Sequence, residues 1–489
     1  MDSLFDRMTQ GLGPYASTVG LLLAGIVAGL GAVGYVFAVN GSMLLIGALP
    51  FVLLLMMLLV LDKRLLLMII LVGRASGDIV FETSKFGGGF GVGGLINALI
   101  IFIAFLFVAE RPDGISRRLA SIWAPLLLVS AAALFWAPEF KDGLRMLLAL
   151  TSYCAVFVIA YYVVRTRKDF ETWVTVILLS SIIPVLYAPV DILQNIHTTE
   201  RYGFRLKSTF SHPNIYAFYL VLIISLLFYR LKTTMLQSSS GKRALMWLYM
   251  LLLLALLVLT KTRSAWAGCF VIFAVYGLLF ERKYLLYLVF APLVGLLVPS
   301  IRDRILDLGQ GNEYVQYAHL NSFAWRVLMW QSALEWMDKS RYLLGYGLNA
   351  FKYYSPVFFP LAGTTNFGAH STYVQWLFET GVVGVLTATW MHVRLFVTLF
   401  AGWLRDRLRA VIAITLVIEY LFFAFSDNML DYLAFNWYFW FFLGMACAVT
   451  MLPPEPEQPA TAMEPVRNPY RRTRTSNFFR SNRTHASRH

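Results

Sequence analysis

Long apolar blocks alternate with short polar joints along the whole chain. Ser42–Leu61, Ala244–Thr260 and Tyr432–Thr450 are examples that run close to bilayer length. A helix needs about 20 mostly apolar residues to cross a hydrocarbon core roughly 30 Å thick. The pattern predicts spans over 17–39, 42–61, 65–80, 93–109, 120–136, 143–164, 171–192, 214–229, 244–260, 265–280, 285–299, 375–401, 409–425 and 432–450. Arg74 and Asp78 interrupt the third, so the pattern supports about 12–14 transmembrane helices. The expected fold class is an all-α polytopic membrane protein. One connection breaks the rhythm: 300–369 is long, yet it is rich in Trp, Phe and Tyr. Such a loop is structured, and its segment 323–337 has apolar residues at helical spacing around Arg326, Gln331 and Glu335, as an amphipathic helix does.

Composition sharpens this reading. Of 489 residues, 58% are hydrophobic and 14% charged, against about 25% charged in water-soluble chains. That excludes a soluble enzyme, a disordered chain and a coiled coil. The net charge of +14 does not indicate nucleic acid, because the basic residues punctuate the spans and fill the tail. Lys63, Arg64, Arg111, Arg165, Arg230, Lys232, Arg282 and Arg405 fall in one set of short loops. The alternate set is poorer in Lys and Arg, so the first set is expected to be cytoplasmic. Both termini then lie in the cytoplasm and 300–369 lies outside. Residues 1–452 are expected to form the membrane domain, with 453–489 a disordered basic tail. Cys154, Cys269 and Cys447 sit inside apolar blocks and read as buried small hydrophobes. No repeat relates the two halves, which weakens an inverted-repeat transporter reading.

Four polar groups lie on the outer face. They are Arg201 to Lys207 running into Ser211-His212-Pro213-Asn214, then Thr260-Lys261-Thr262-Arg263-Ser264, then Trp325-Arg326 with Trp330, and lastly His370-Ser371 followed by Gly381 and Gly384. Each has a structural alternative. Arg201, Arg205 and Lys207 suit lipid-phosphate contacts, and Arg263 an ion pair. Arg326 suits cation–π anchoring among tryptophans. His212 suits a turn cap, and His370 a hydrogen-bonded helix start. Together they suit an anionic ligand. Guanidinium groups bind phosphate oxygens bidentately, and a histidine can take a proton from an attacking hydroxyl. Arginines can also stabilise a departing diphosphate as preorganised charge. This chemistry is glycosyl transfer from a lipid diphosphate to a sugar hydroxyl.

The sequence resembles the O-antigen ligase and O-antigen polymerase superfamily of bacterial inner membranes. The carrying residues are His370-Ser371, nine residues, then Gly381-Val382-Val383-Gly384. Thr262-Arg263-Ser264-Ala265 resembles the family's Ser-Arg-Gly-Ala element, and Ser264 in place of its glycine is expected to be tolerated. Arg326 with Trp330, Gly345 with Gly347, and His212-Pro213-Asn214 support the match, which covers roughly residues 200–450. The resemblance implies a multi-pass inner-membrane glycosyltransferase with its site on the periplasmic face. It implies an undecaprenyl-diphosphate-linked glycan donor, a saccharide acceptor (lipid A core or a lipid-linked repeat unit), and neither metal nor cofactor. By position, His370 is the implied catalytic base, and Arg263, Arg326 and Arg205 the implied diphosphate contacts. Ligase, polymerase or exopolysaccharide assembly, and protein O-glycosylation remain open, with a slight lean towards polymerase or exopolysaccharide assembly. A transporter or flippase of lipid-linked oligosaccharides is the rival class, and a non-catalytic scaffold a second.

Overall fold

In a computed structural model, the described residues are 57–59, 61–83, 92–114, 117–195, 197, 203–233, 239–296, 302 and 320–453. The spans expected at 17–39 and most of 42–61, the first part of the long loop, and the tail beyond Pro453 lie outside them. The described residues are helical and contain no strand.

The chain builds α1 (Lys63–Ser76), α2 (Asp78–Thr83), α3 (Val92–Glu110), α4 (Arg117–Ala133), α5 (Phe140–Val163), α6 (Arg167–Leu179), α7 (Ile182–Asn195), α8 (Pro213–Thr233), α9 (Ser240–Leu259), α10 (Arg263–Leu279) and α11 (Lys283–Leu296). The loop domain adds α12 (Ser322–Trp336) and α13 (Ala350–Phe358), and α14 (Thr372–Phe400), α15 (Arg407–Ser426) and α16 (Leu433–Met451) follow. Among the described residues, eight spans are long and apolar enough to cross a membrane. The chain is thus a multi-pass membrane protein.

Apolar character all round a helix places it at the centre of a bundle. α8 and α16 are of this kind, and nearly every residue of both is buried. α16 packs along α5, α14 along α4, and α10 along α15. Aromatic edges lock these contacts, as where Trp440 of α16 meets Phe157 of α5 edge-on with ring centroids 6.5 Å apart. Such a pair is worth about 0.5–1.5 kcal/mol beyond its buried area.

Two expected spans are interrupted. The block at 171–192 is broken between α6 and α7 at Ser180–Ser181. Pro184 has no N–H with which to continue the ladder, and the serine hydroxyls instead meet Tyr219 and Tyr249 at 2.6 and 2.7 Å. The block at 65–80 breaks at Gly77, and its two charges prove to be partners: Arg74 Nη1 donates to Asp78 Oδ1 at 2.9 Å, with both side chains buried. The other Asp78 oxygen accepts from the amide and hydroxyl of Ser211 at 3.2 and 3.1 Å. Removing one partner of a buried pair costs about 3–5 kcal/mol. This pair therefore fixes the segment leading into His212 onto the end of α1.

The expected loop helix is present as α12. It buries Met329, Trp330 and Ala333, while Phe323, Leu334 and Trp336 lie exposed. With α13 and Phe378 of α14 it builds a second hydrophobic cluster, separate from the bundle core. α14 is joined to this cluster by a backbone splice. At Gly381 the helix breaks, with φ 64° and ψ −165°, a conformation essentially restricted to glycine. The Val382 and Val383 amides donate to Tyr342 and Leu343 carbonyls at 2.8 and 3.2 Å. On the other side, Phe378 and Glu379 carbonyls accept from Tyr346 and Gly347 amides at 3.0 and 2.8 Å. A Cβ at Gly381 would lie 2.3 Å from the Leu343 oxygen, and one at Gly345 2.4 Å from the Glu379 carbonyl. These glycines serve the splice: they let two backbones touch.

Candidate active site

His370 precedes Ser371, the N-cap residue of α14, in left-handed backbone with φ 49°. Left-handed residues other than glycine are uncommon and cluster at functional sites. Of the four among the described residues, Ser208, Lys261 and His370 belong to the polar segments singled out above. The strain is held by packing on either side. Trp330 Nε1 donates to the Ala369 carbonyl at 2.6 Å, and the Trp325 ring meets the His370 ring edge-on at 5.8 Å. Thr372 Oγ1 donates to the Asp427 carbonyl at 3.1 Å and accepts from the Met429 amide at 3.0 Å. The loop helix thus holds one side of His370 and the α15–α16 turn holds the other.

Arg205 is clasped from two directions. Its Nε donates to the Thr260 carbonyl at 3.1 Å, and its Nη2 reaches Asn214 Oδ1 and Thr262 Oγ1 at 2.7 and 3.0 Å. Asn214 Nδ2 in turn donates to Asp427 Oδ1 at 2.7 Å, which also accepts from the Tyr432 hydroxyl at 2.8 Å. The His212 Nδ1 accepts from the Asn214 amide at 3.1 Å, so this histidine caps the turn into α8. Three connections distant in sequence are thereby tied together: 205–214, 260–262 and 427–432.

Electrostatics draws Arg326 into the same patch. Burial first, then the Arg326 charge, lowers the pKa of His370 to about 4. His212, open to solvent on one side and crowded on the other, is also lowered to about 4. Burial leads, followed by the charges of Arg205, His370, Arg326 and Lys207. Asp427 is buried, and burial raises its pKa against the pull of Arg326, its Tyr432 and Asn214 hydrogen bonds, and Arg205. Both histidines are therefore neutral at neutral pH, beside two guanidinium groups.

The structure brings His370, Arg326 and Arg205 within electrostatic reach of one patch. Arg263 opens α10 directly after Thr262, half-buried and one residue from the Arg205 contacts. Asp427 and Tyr432 were not among the residues singled out. The signal for them was Ser426-Asp427-Asn428, a polar triplet in a tight joint between two apolar blocks, the same pattern that exposed Arg263.

Two cavities adjoin the patch. A polar one of about 280 Å³ is lined by Arg205, Lys207, Ser211, His212, Asp191 and Asn195. An apolar one of about 240 Å³ starts at Thr372 and Tyr373 and follows α14 to Phe396, walled on its far side by Trp123, Tyr420 and Trp440.

No curated protein matches the chain. Residues 248–389, which contain Arg263, Arg326 and His370, match the family model described as O-Antigen ligase. Through this segment the chain is similar to the O-antigen ligase family.

Proposed function

We propose that the protein transfers a glycan from a polyprenyl diphosphate to a saccharide hydroxyl at the periplasmic face of the bacterial inner membrane, with both termini in the cytoplasm. The observation that carries this reading is the meeting of His370, Arg326 and Arg205 on one patch beside an apolar cleft that begins at Thr372. In the proposed step, His370 accepts the proton of the acceptor hydroxyl. The hydroxyl oxygen bonds to the anomeric carbon as the bond from that carbon to the diphosphate oxygen breaks. The electron pair leaves with the polyprenyl diphosphate, whose charge Arg326, Arg263 and Arg205 stabilise. General-base help of this kind is worth a factor of about 10²–10⁴.

A pKa of about 4 leaves the free histidine unprotonated but weakly basic. Arrival of a diphosphate offsets the positive Arg326 charge that contributes to the low value. The donor thus strengthens the base that acts on it. In this reading the apolar cleft takes the first isoprene units, and the acceptor is a lipid-linked repeat unit or lipid A core.

The test uses purified protein with a polyprenyl-diphosphate-linked oligosaccharide and a saccharide acceptor. His370→Gln keeps hydrogen bonding but is a far weaker proton acceptor. It should bind donor normally and lose transfer by at least about 10². Near-normal transfer in this variant would remove the base from the mechanism. A gene-deletion glycan profile then separates the subtypes: single repeats on the carrier indicate a polymerase, and bare lipid A core a ligase. A transporter reading has one observation in its favour. Glu419 lies buried within the α15 span, with neither carboxylate oxygen hydrogen-bonded among the described residues, and such intramembrane acids often mark a transport path. Loss of transfer on His370→Gln with donor flipping intact in vesicles would favour that alternative.

A further inference from the structure

The end of the bundle away from His370 holds a second charged cavity. α5 runs from Phe140 to Val163, a length of about 36 Å, and α16 runs from beside Tyr432 at the first site to Met451. At their far ends, Lys63, Arg64, Arg111 and Arg165 line a cavity of about 290 Å³ around Tyr162. An adjoining cavity of about 210 Å³ shares Arg111, Tyr162 and Arg165 and reaches Leu452.

The two acids in the larger cavity are already engaged. Asp62 caps α1, accepting from the Arg64 and Leu65 amides at 2.9 and 3.0 Å. Glu110 pairs with Lys63. Among the described residues, neither the Arg64 nor the Arg111 guanidinium has an acidic partner. Tyr162 fixes the arrangement from the centre. Its hydroxyl donates to the Arg111 carbonyl at 2.8 Å, and its own carbonyl meets Arg165 Nε at 3.4 Å. Three arginines therefore converge on a concave space, and Leu61, Phe107 and Leu452 supply apolar walls to it.

Ordinary topology-setting arginines fan out along a membrane surface and need no cavity. These face one space, and their charge makes that space suited to an anion. Guanidinium forks match phosphate oxygens, and the apolar walls suit what a lipid carries below its phosphate. Free phosphate would meet the charges but leave those walls wet. We propose that this cavity binds the phosphate of an anionic phospholipid headgroup, at the end of the bundle opposite the His370 patch. Basic pockets between membrane helices have the chemistry for that role.

The experiment titrates the full-length protein in phosphatidylcholine micelles with phosphatidylglycerol and follows its thermal unfolding midpoint and the lipid retained in native mass spectrometry. A parallel arm uses inorganic phosphate at equal concentration. Phosphatidylglycerol should raise the midpoint and be retained by the wild type. Arg64→Gln/Arg111→Gln/Arg165→Gln should need about a hundred-fold more of it, from about a fivefold loss per arginine. An equal response in wild type and variant would overturn the proposal. So would inorganic phosphate alone reproducing the whole effect, since the occupant would then be a free anion. A variant midpoint matching wild type in phosphatidylcholine alone establishes that it folds, and if it fails to fold, the single Arg111→Gln change gives the same readout with a smaller shift.

Discussion

Replacing Gly381 by alanine tests how the base is held in place. The backbone at Gly381 has φ 64° and ψ −165°, and forcing a Cβ into such a region costs about 1–3 kcal/mol. The new methyl would also lie 2.3 Å from the Leu343 oxygen and 2.6 Å from the Leu344 nitrogen. Both are backbone atoms, so no rotamer change relieves the overlap. The 342–347 segment must withdraw, and the bonds from Val382 and Val383 to Tyr342 and Leu343 are the first to go. With about 0.5–1.5 kcal/mol net for each hydrogen bond, the total is about 2–6 kcal/mol. The roughly two and a half helical turns between Ser371 and Gly381 carry His370 at their head, and a shift of about 1 Å there can cost a factor of about 10² in rate. The measurement pairs thermal unfolding in detergent with glycan transfer, using Val382→Ala as the control on the exposed side of the same joint. Gly345→Ala strains the other strand of the splice, so the double variant should lose less than the two singles combined. Full stability and activity in Gly381→Ala, or strict additivity with Gly345→Ala, would refute the splice as the element that positions the base.

Other outcomes follow from the same geometry. Asp427→Asn preserves size but replaces the carboxyl group that accepts from Asn214 and Tyr432 and faces Arg326 and Arg205. Transfer should fall at least about tenfold, with a smaller loss of stability; unchanged kinetics would make Asp427 a spectator. Arg205→Lys cannot span Thr260, Asn214 and Thr262 at once. It should raise the donor KM with little change in acceptor KM, and an unaltered donor KM would place Arg205 outside the donor site. Since His370 sits near pKa 4, kcat/KM should stay level from pH 8 down to about 5 and fall only near 4, whereas kcat should titrate higher once donor is bound; a kcat/KM midpoint near 6.5 would contradict the buried environment. Folding should show the matching trend. Between about pH 6.5 and 4 the unfolded chain binds protons that His370 and His212 refuse, so stability should decline as the pH falls through that window.

Span positions were legible because apolar blocks announce themselves one helix at a time. Their interruptions were less so. Pro184 sits inside a block whose hydropathy gives no hint of the break at Ser180–Ser181. Arg74 and Asp78 read as flaws in a weak span, although their spacing of four places them on one helical face. His370 and Arg326 could be picked out because charge in an aromatic loop is conspicuous. Gly381 and Gly345 could be seen, but their backbone contact joins segments more than thirty residues apart. Asp427 escaped notice because its partners, Asn214 and Tyr432, lie on different helices.

The position of α16 has a consequence for how the protein is made. It is the last described helix to leave the ribosome, yet it fills the centre of the bundle. Until it inserts, Ser152 of α5 lacks the Trp437 indole that donates to it, and the Ala75 amide lacks the Tyr438 hydroxyl. Asp427 also lacks Tyr432, which stands at the start of this helix. A nascent chain that already carries His370 and every arginine of the patch therefore still lacks one of the two helices at its centre. Polar groups on α1 and α5 then still wait for the partners that this helix supplies. Completion of translation and assembly of the site become one event, so premature termination near the C-terminus should yield an inactive chain and not a partly active one.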